Sequence, residues 1–432
     1  MSKNPALGLW TLVALVIGNM IGAGVFTTSG FALADLGSPW LVLAAWLIGG
    51  LLALCGALSY GALARLVPGS AGEYLYLSRI VHPAVGFIAG WVSLLAGFTA
   101  AIAYSALTFA AYALGPAAGA AKAVATAVIA VAVLLHALRV RQGAWVQNAA
   151  VALKLALLAT FCGLAVFGGG PWSGLAAADP PPFSLTAFAL ALMWISFSYS
   201  GFNAAVYVAG EVPSAEVIVP RALLLGTLLT VFLYLALNAV FVLAPPFEAA
   251  AGQEDVAAIA ARALGGEPLA AAVRLLIALA LFTSVSAMVM AGPRVYAKMA
   301  EDGLFPRAFR SRDGAPTAAV ALQGTLAVGV VWLTGLRELL SYLGFTLGLS
   351  AAGTVAALFL AVRRQPGRRH ELPGYPWAYP WAYPLAPAVF VVFTLLFAGL
   401  AATVNPHEML AAVATIASGA LLYRLTRGRR PV

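Results

Sequence analysis

The sequence predicts an all-α polytopic membrane protein: a five-plus-five inverted repeat with discontinuous helices one and six, followed by two further helices. Three observations carry this prediction. Of the 432 residues, 62% are hydrophobic and only 9% charged, and the mean hydropathy is +0.95; a soluble domain carries about 25% charged residues. Cut at its charges and Pro/Gly clusters, the chain falls into twelve apolar stretches: 7–33, 39–64, 83–114, 121–138, 143–168, 183–209, 219–244, 268–299, 317–335, 338–362, 384–403 and 407–425. Roughly 20 apolar residues cross the hydrocarbon core. The first and sixth stretches are interrupted at their centres, by Gly22-Ala23-Gly24 and by Ser198-Tyr199-Ser200-Gly201.

The interruptions set the topology. In lipid an unpaired peptide group costs several kcal/mol, so unwound backbone at that depth is tolerated only where protein or a water-filled cavity surrounds it. The breaks lie five spans apart. Five is odd, so the second copy enters from the opposite face, with repeats at about 7–168 and 183–362 and an appended pair at 384–425. A major-facilitator pattern repeats at six spans and needs no break in either. Residues 1–432 read as one transmembrane domain. The first stretch is too long for a cleaved leader and runs on into more span.

Net charge is +9, which in a soluble chain raises nucleic acid as a partner. Here topology explains it. With the N-terminus inside, most Lys and Arg fall in cytoplasmic loops, as the positive-inside rule requires. Both termini are then cytoplasmic, in a cell (inner) membrane, and the bilayer replaces nucleic acid as the partner. Residues 67–74 join spans two and three inside. Pro180-Pro181-Pro182 stiffen the entry to span six, Glu254–Leu264 reads as a short surface helix outside, and the repeat Tyr375–Pro384 as an extended interfacial segment. Cys55 and Cys162 fall within spans as packing residues.

Enzymatic chemistry has no support. His82, His136, His370 and His407 are dispersed, so no metal spacing appears, and no nucleotide loop or other cofactor motif is present. The breaks have a different use. Unwound at Gly22-Ala23-Gly24, span one presents amide N–H groups at the positive end of its second half, where a carboxylate fits. Carbonyls near Met20, and near Phe197 and Ser200 in span six, accept from an ammonium. Together they cradle a zwitterion at the midplane. The rival reading is that small residues merely let helices approach; the paired placement favours the cradle. Lys154 is the basic residue at membrane depth. A snorkelling lysine is the plain alternative, but it lies about ten residues from either end of its span, which favours a cavity-facing role. Its charge takes the place of a coupling cation, and it is a candidate to release a proton during the cycle.

Four segments resemble the amino acid–polyamine–organocation superfamily: Gly18–Phe26, Pro68–Tyr76, Tyr199–Asn203 with Glu211 and Pro220-Arg221, and Arg294–Pro306. They occur in the family's order over most of the chain. The resemblance is strongest to the L-amino-acid-transporter-like and proton-coupled neutral branches, and it implies a leucine-transporter (LeuT) fold. It implies that Met20, Gly22, Ala23 and Gly24 hold the backbone of the substrate. It makes Phe197 the aromatic gate and Asn203 a lining residue of the side-chain pocket. It sets Lys154 in place of sodium, near Tyr234. On the reading of the residues themselves, Ser198, Ser200 and Gly201 of the second break join the substrate site, and Thr283, Ser284 and Ser286 of span eight, with carbonyls freed by the span-one break, are the expected partners of the Lys154 ammonium. Ala23 replaces the serine of many members; Asn203 and Met288 replace the glutamate and tryptophan of cationic-substrate exchangers.

The resulting expectation is a sodium-independent secondary transporter of neutral L-amino acids, working by alternating access through exchange or proton coupling. Its rivals are a cationic amino acid or polyamine antiporter, which wants an acid facing the cavity, and a transport-dead amino acid sensor or scaffold for a partner subunit. No acidic residue lies in the middle of a span, and the oligomeric state is left open.

Overall fold

Apolar stretches become helices, and the helices stop where the sequence changes chemistry. The computed structural model describes residues 8–69, 72–115, 119–137, 144–168, 170, 172–176, 182–310, 317–365 and 381–427. Helix α1 (Leu9–Met20) and α2 (Gly24–Leu36) are the halves of the first stretch, bent by 43° at the break. Gly37, at φ 63°, ends α2 in the left-handed conformation that glycine adopts freely. Next come α3 (Pro39–Leu66), the short α4 (Gly72–Ile80) and α5 (Pro83–Leu114). Helix α5 widens into a π-helical segment over Ser93–Ala100, which the sequence reading had as plain helix.

Helices α6 (Ala121–Ala137) and α7 (Ala144–Phe167) complete the first half. Helix α8 (Leu185–Ser198) then ends at the second break. Beyond it the chain does not resume an α-helix. Residues 199–203 turn, and Ala204–Glu211 form a 3₁₀ helix. Helix α9 (Ala215–Leu243) follows a left-handed Ser214, and α10 spans Val256–Glu301. Within α10, Gly265 and Gly266 leave helical geometry just before Pro268. The first piece ends where the sequence reading expected, at Leu264, but it is not a surface helix: Val256, Ala257, Ala258, Ala260 and Ala261 are fully buried, because the loop before it folds onto α2. Helices α11 (Thr317–Leu333), α12 (Leu336–Arg364), α13 (Ala386–Ala402) and α14 (Pro406–Arg427) finish the chain.

The protein is all-helical and multi-pass. Among the described residues, seven helices are long and apolar enough to cross a membrane, and the bent α1–α2 pair makes up to eight. Four shorter apolar helices accompany them: Ala121–His136, Ala152–Phe167, Leu185–Ser198 and Thr317–Leu333. Large apolar side chains such as Leu229 and Phe232 of α9 point outward, as lipid-facing residues do. The fully buried aromatics Trp46, Trp194, Tyr199 and Tyr234 surround the two breaks. The Tyr375–Pro384 repeat and the Pro180–Pro182 run fall largely outside the described residues.

Candidate functional site

The two breaks face each other. Gly201 has φ +100°, and a Cβ there would stand 2.8 Å from the Asn19 carbonyl oxygen. Only glycine meets both demands. Higher up, a Cβ on Gly24 would lie 2.5 Å from Ser198 Oγ and 2.9 Å from Ser198 Cα. Ser198 Oγ also meets Thr28 Oγ1 at 3.0 Å and donates to the Trp194 carbonyl. Gly24 and Ser198 are thus the seam between α2 and α8. The sequence reading gave Gly24 to substrate contact; the structure gives it a packing reason. Gly22 differs: its Cβ direction meets nothing closer than Met20 O at 3.9 Å. The amides of Ala23, Gly24 and Val25 open α2 and have no intrahelical acceptor.

Side chains from other elements occupy the freed carbonyls. Tyr234 donates to Met20 O at 2.5 Å, and Gly22 N donates to the same oxygen at 2.8 Å. Both lone pairs of Met20 O are then engaged, so the carbonyl expected to take a substrate ammonium is already bonded. Phe197 O likewise accepts from Ser200 N at 2.9 Å. Tyr234 is held edge-on to Trp46, ring centroids 5.4 Å apart, and against Tyr199 at 5.1 Å. Behind it, Trp46 Nε1 donates to Ser29 Oγ, which donates to Asn238 Oδ1 at 2.6 Å.

Lys154 is buried, with 7% of its surface exposed, and its ammonium donates to Ile21 O at 2.5 Å. Of the partners expected from the sequence, the break carbonyl is found. The hydroxyls of Thr283 and Ser284 bond back to Ala280 O in their own helix, and Ser286 pairs with His136 Nε2 at 2.9 Å. His136 was one of four dispersed histidines in the sequence; nothing there signalled its pairing.

Phe197 is half-buried and packs edge-on against Tyr104 of α5, with centroids 5.3 Å apart. Tyr104 in turn hydrogen-bonds the Thr27 hydroxyl of α2. Tyr112 on the same helix donates to Phe26 O at 2.7 Å. Neither tyrosine was singled out from sequence, where each is one aromatic among many in an apolar span. Asn203 does not stand alone in a pocket: its Nδ2 donates to Glu73 Oε1 at 3.3 Å. Glu73 lies on α4, in the segment read simply as a loop, so the reading that looked for acids inside spans passed over it.

Along α2, Gly252 N donates to Gly30 O at 2.7 Å, and a Cβ on Gly30 would lie 1.9 Å from Gln253 O. The loop after α9 is therefore seated on α2. Arg337 Nη2 donates to both oxygens of Asp35, at 2.5 and 2.6 Å, while its guanidinium lies 5.1 Å from the centre of the Trp194 ring.

One bent helix pair, a second helix that gives way to a 3₁₀ segment, and a buried lysine on the first break mark this multi-pass membrane protein. The amino acid permease family model matches residues 7–419, and the chain belongs to that family. It is 27% identical over 385 residues to the serine/threonine exchanger SteT of Bacillus subtilis (strain 168), covering 86% of this chain and 87% of that protein. It is 26% identical over 382 residues to the human large neutral amino acids transporter small subunit 2, covering 83% of this chain and 70% of that protein. It is 26% identical over 412 residues to the human Asc-type amino acid transporter 1, covering 90% of this chain and 77% of that protein.

Proposed function

We propose that this permease is a sodium-independent carrier of small or medium neutral L-amino acids, working by alternating access in a LeuT-type fold of twelve spans. Exchange and proton coupling are its two candidate modes. The observation that carries the reading is the Lys154 ammonium on Ile21 O. A fixed positive charge at the span-one break occupies the place a coupling sodium would need. The seven long helices, the bent pair and the four shorter apolar helices coincide with the twelve stretches of the sequence and support that span count. The basic inner loops support cytoplasmic termini in a cell (inner) membrane.

The substrate carboxylate goes to the open amides at Ala23–Val25, beside Gly22. Its side chain points toward Phe197 and Asn203. Relatives named for serine, threonine and large neutral amino acids fit a pocket without free charge. A cationic substrate is disfavoured even though Glu73 lies next to Asn203, because three neutral donors already hold that carboxylate. Counterflow in proteoliposomes tests the reading. Serine, threonine, alanine or leucine inside should drive labelled uptake equally in sodium and choline buffers. Uptake of arginine or agmatine alone would replace it with the cationic antiporter, and tight binding without counterflow would make the protein a sensor.

A further inference from the structure

Glu73 is a buried carboxylate that the transport reading leaves unused, and it ties four elements together. It lies in the first turn of α4. Tyr60 of α3 donates to Oε1, Asn203 at the span-six break donates to the same oxygen at 3.3 Å, and Ser350 of α12 donates to Oε2 at 3.3 Å. Among the described residues, all three partners are neutral. Every other titratable group near it is a phenol or bonded elsewhere. Tyr60 and Tyr207 face it from α3 and the 3₁₀ segment, and Tyr76 belongs to its own helix. Arg79 donates to Pro68 O, Tyr74 bonds Asp302, and Arg364 donates to Ile80 O at the far end of α4.

The 3₁₀ segment of span six packs on α9 and α1, and α3 packs chiefly on α9. Helix α4 packs on α5 and α12, and α12 packs on α8 and α3 as well. Glu73 is therefore a polar tie between α4 and the elements around the second break. Glu73 is buried, while its partners Asn203 and Ser350 are only half-buried.

We propose that Glu73 is a proton-binding site that latches α4 to the broken sixth span when ionised and releases it when a proton from the cytoplasmic side neutralises it. The step transfers one proton from water to a carboxylate oxygen, forming an O–H bond and nothing else. An ionised carboxylate accepts from all three donors in strong, charge-assisted bonds. Once protonated, one oxygen becomes a donor. With the proton on Oε2 the Ser350 hydroxyl can turn to accept, while Oε1 keeps its bonds from Tyr60 and Asn203 but loses the charge that strengthened them, so the tie to span six weakens. Burial pushes the Glu73 carboxyl above the ordinary carboxylate value, against the lowering effect of the Tyr60 and Ser350 hydrogen bonds.

The latch rests on the transport reading only for its kinetic consequence, so two measurements test it. The first is the infrared absorbance of protonated carboxyl in purified protein, wild type minus Glu73→Gln, as pH is lowered. A titrating band in the difference supports the site whether or not any amino acid is transported; its absence overturns it. The second is counterflow against pH for wild type, Glu73→Gln and Glu73→Asp, each checked for folding by size-exclusion chromatography. Wild-type exchange should rise about tenfold from mildly alkaline to mildly acidic pH, the value of roughly one charge-assisted bond. Glu73→Gln should stay flat near the acidic rate, while Glu73→Asp should keep a pH response. A Glu73→Gln profile that follows the wild type would sink the proposal.

Discussion

Gly22 and Gly24 lie two residues apart and serve different ends, which separates two readings that the sequence left together. Gly24 has Ser198 where its side chain would be, so Gly24→Val overpacks the α2–α8 seam. It should lower thermal stability by about 1–3 kcal/mol and abolish counterflow with it. Gly22 faces open space. Gly22→Val should leave the melting temperature near wild type while reducing substrate-induced stabilisation, because a β-branched side chain intrudes on the cradle. Unchanged ligand stabilisation in Gly22→Val would remove the backbone-cradle reading. The Phe197 ring rests on Tyr104, so Phe197→Ala should weaken retention of bound amino acid and Phe197→Trp should be tolerated; equal release rates for the alanine variant would leave the ring a packing group. The break glycines and Lys154 were legible in sequence because each violates the apolar pattern of its span. Glu73, Tyr104 and His136 were not, because their meaning lies in partners that tertiary packing brings from distant positions.

At the scale of elements, the apolar stretches and the break in span one were legible because helix period, proline and glycine are local signals. The 3₁₀ path after Asn203 and the seating of the loop after α9 were not. Both are set by neighbours: Asn19 O against Gly201, and Gly30 against Gln253. The C-terminal end of α2, the last turn of α8 and the first turn of α12 meet at Arg337. Its guanidinium joins Asp35 of α2 and stacks on Trp194 of α8, while Trp194 Nε1 donates to Ser341 of α12 at 2.8 Å. Arg337 is 44% exposed and Asp35 19% at the side chain, so screening keeps the ion pair to roughly 1 kcal/mol or less. That is enough to bias two states several-fold without deciding stability. Arg337→Ala should leave the melting temperature nearly unchanged and loosen the closure around the pair, read as faster labelling of a cysteine placed at the buried Leu33. Labelling no faster than in the Leu33→Cys parent would show that the pair does not hold this end shut.

For the whole molecule, the coupling ion follows from one charge in one place. The Lys154 ammonium sits 2.5 Å from Ile21 O at the bend between α1 and α2. A sodium ion entering that neighbourhood would meet like-charge repulsion of about 4 kcal/mol at 4 Å and an effective dielectric near 20. It would also lose a carbonyl ligand, since Tyr234 and Gly22 engage Met20 O and Lys154 engages Ile21 O. On this reading sodium should bind poorly there, and counterflow should proceed at the same rate in sodium, potassium or choline. Lys154→Ala frees Ile21 O and unties α7 from the break. The variant should keep its fold, lose most of its transport and lose any difference in affinity between the two membrane faces, since the bend would no longer be biased from one side. It should not gain sodium dependence, because the Thr283 and Ser284 hydroxyls remain bonded to Ala280 O. Strict sodium dependence of the wild type would refute the surrogate-cation role. Full activity of Lys154→Ala would reduce the lysine to a structural tie.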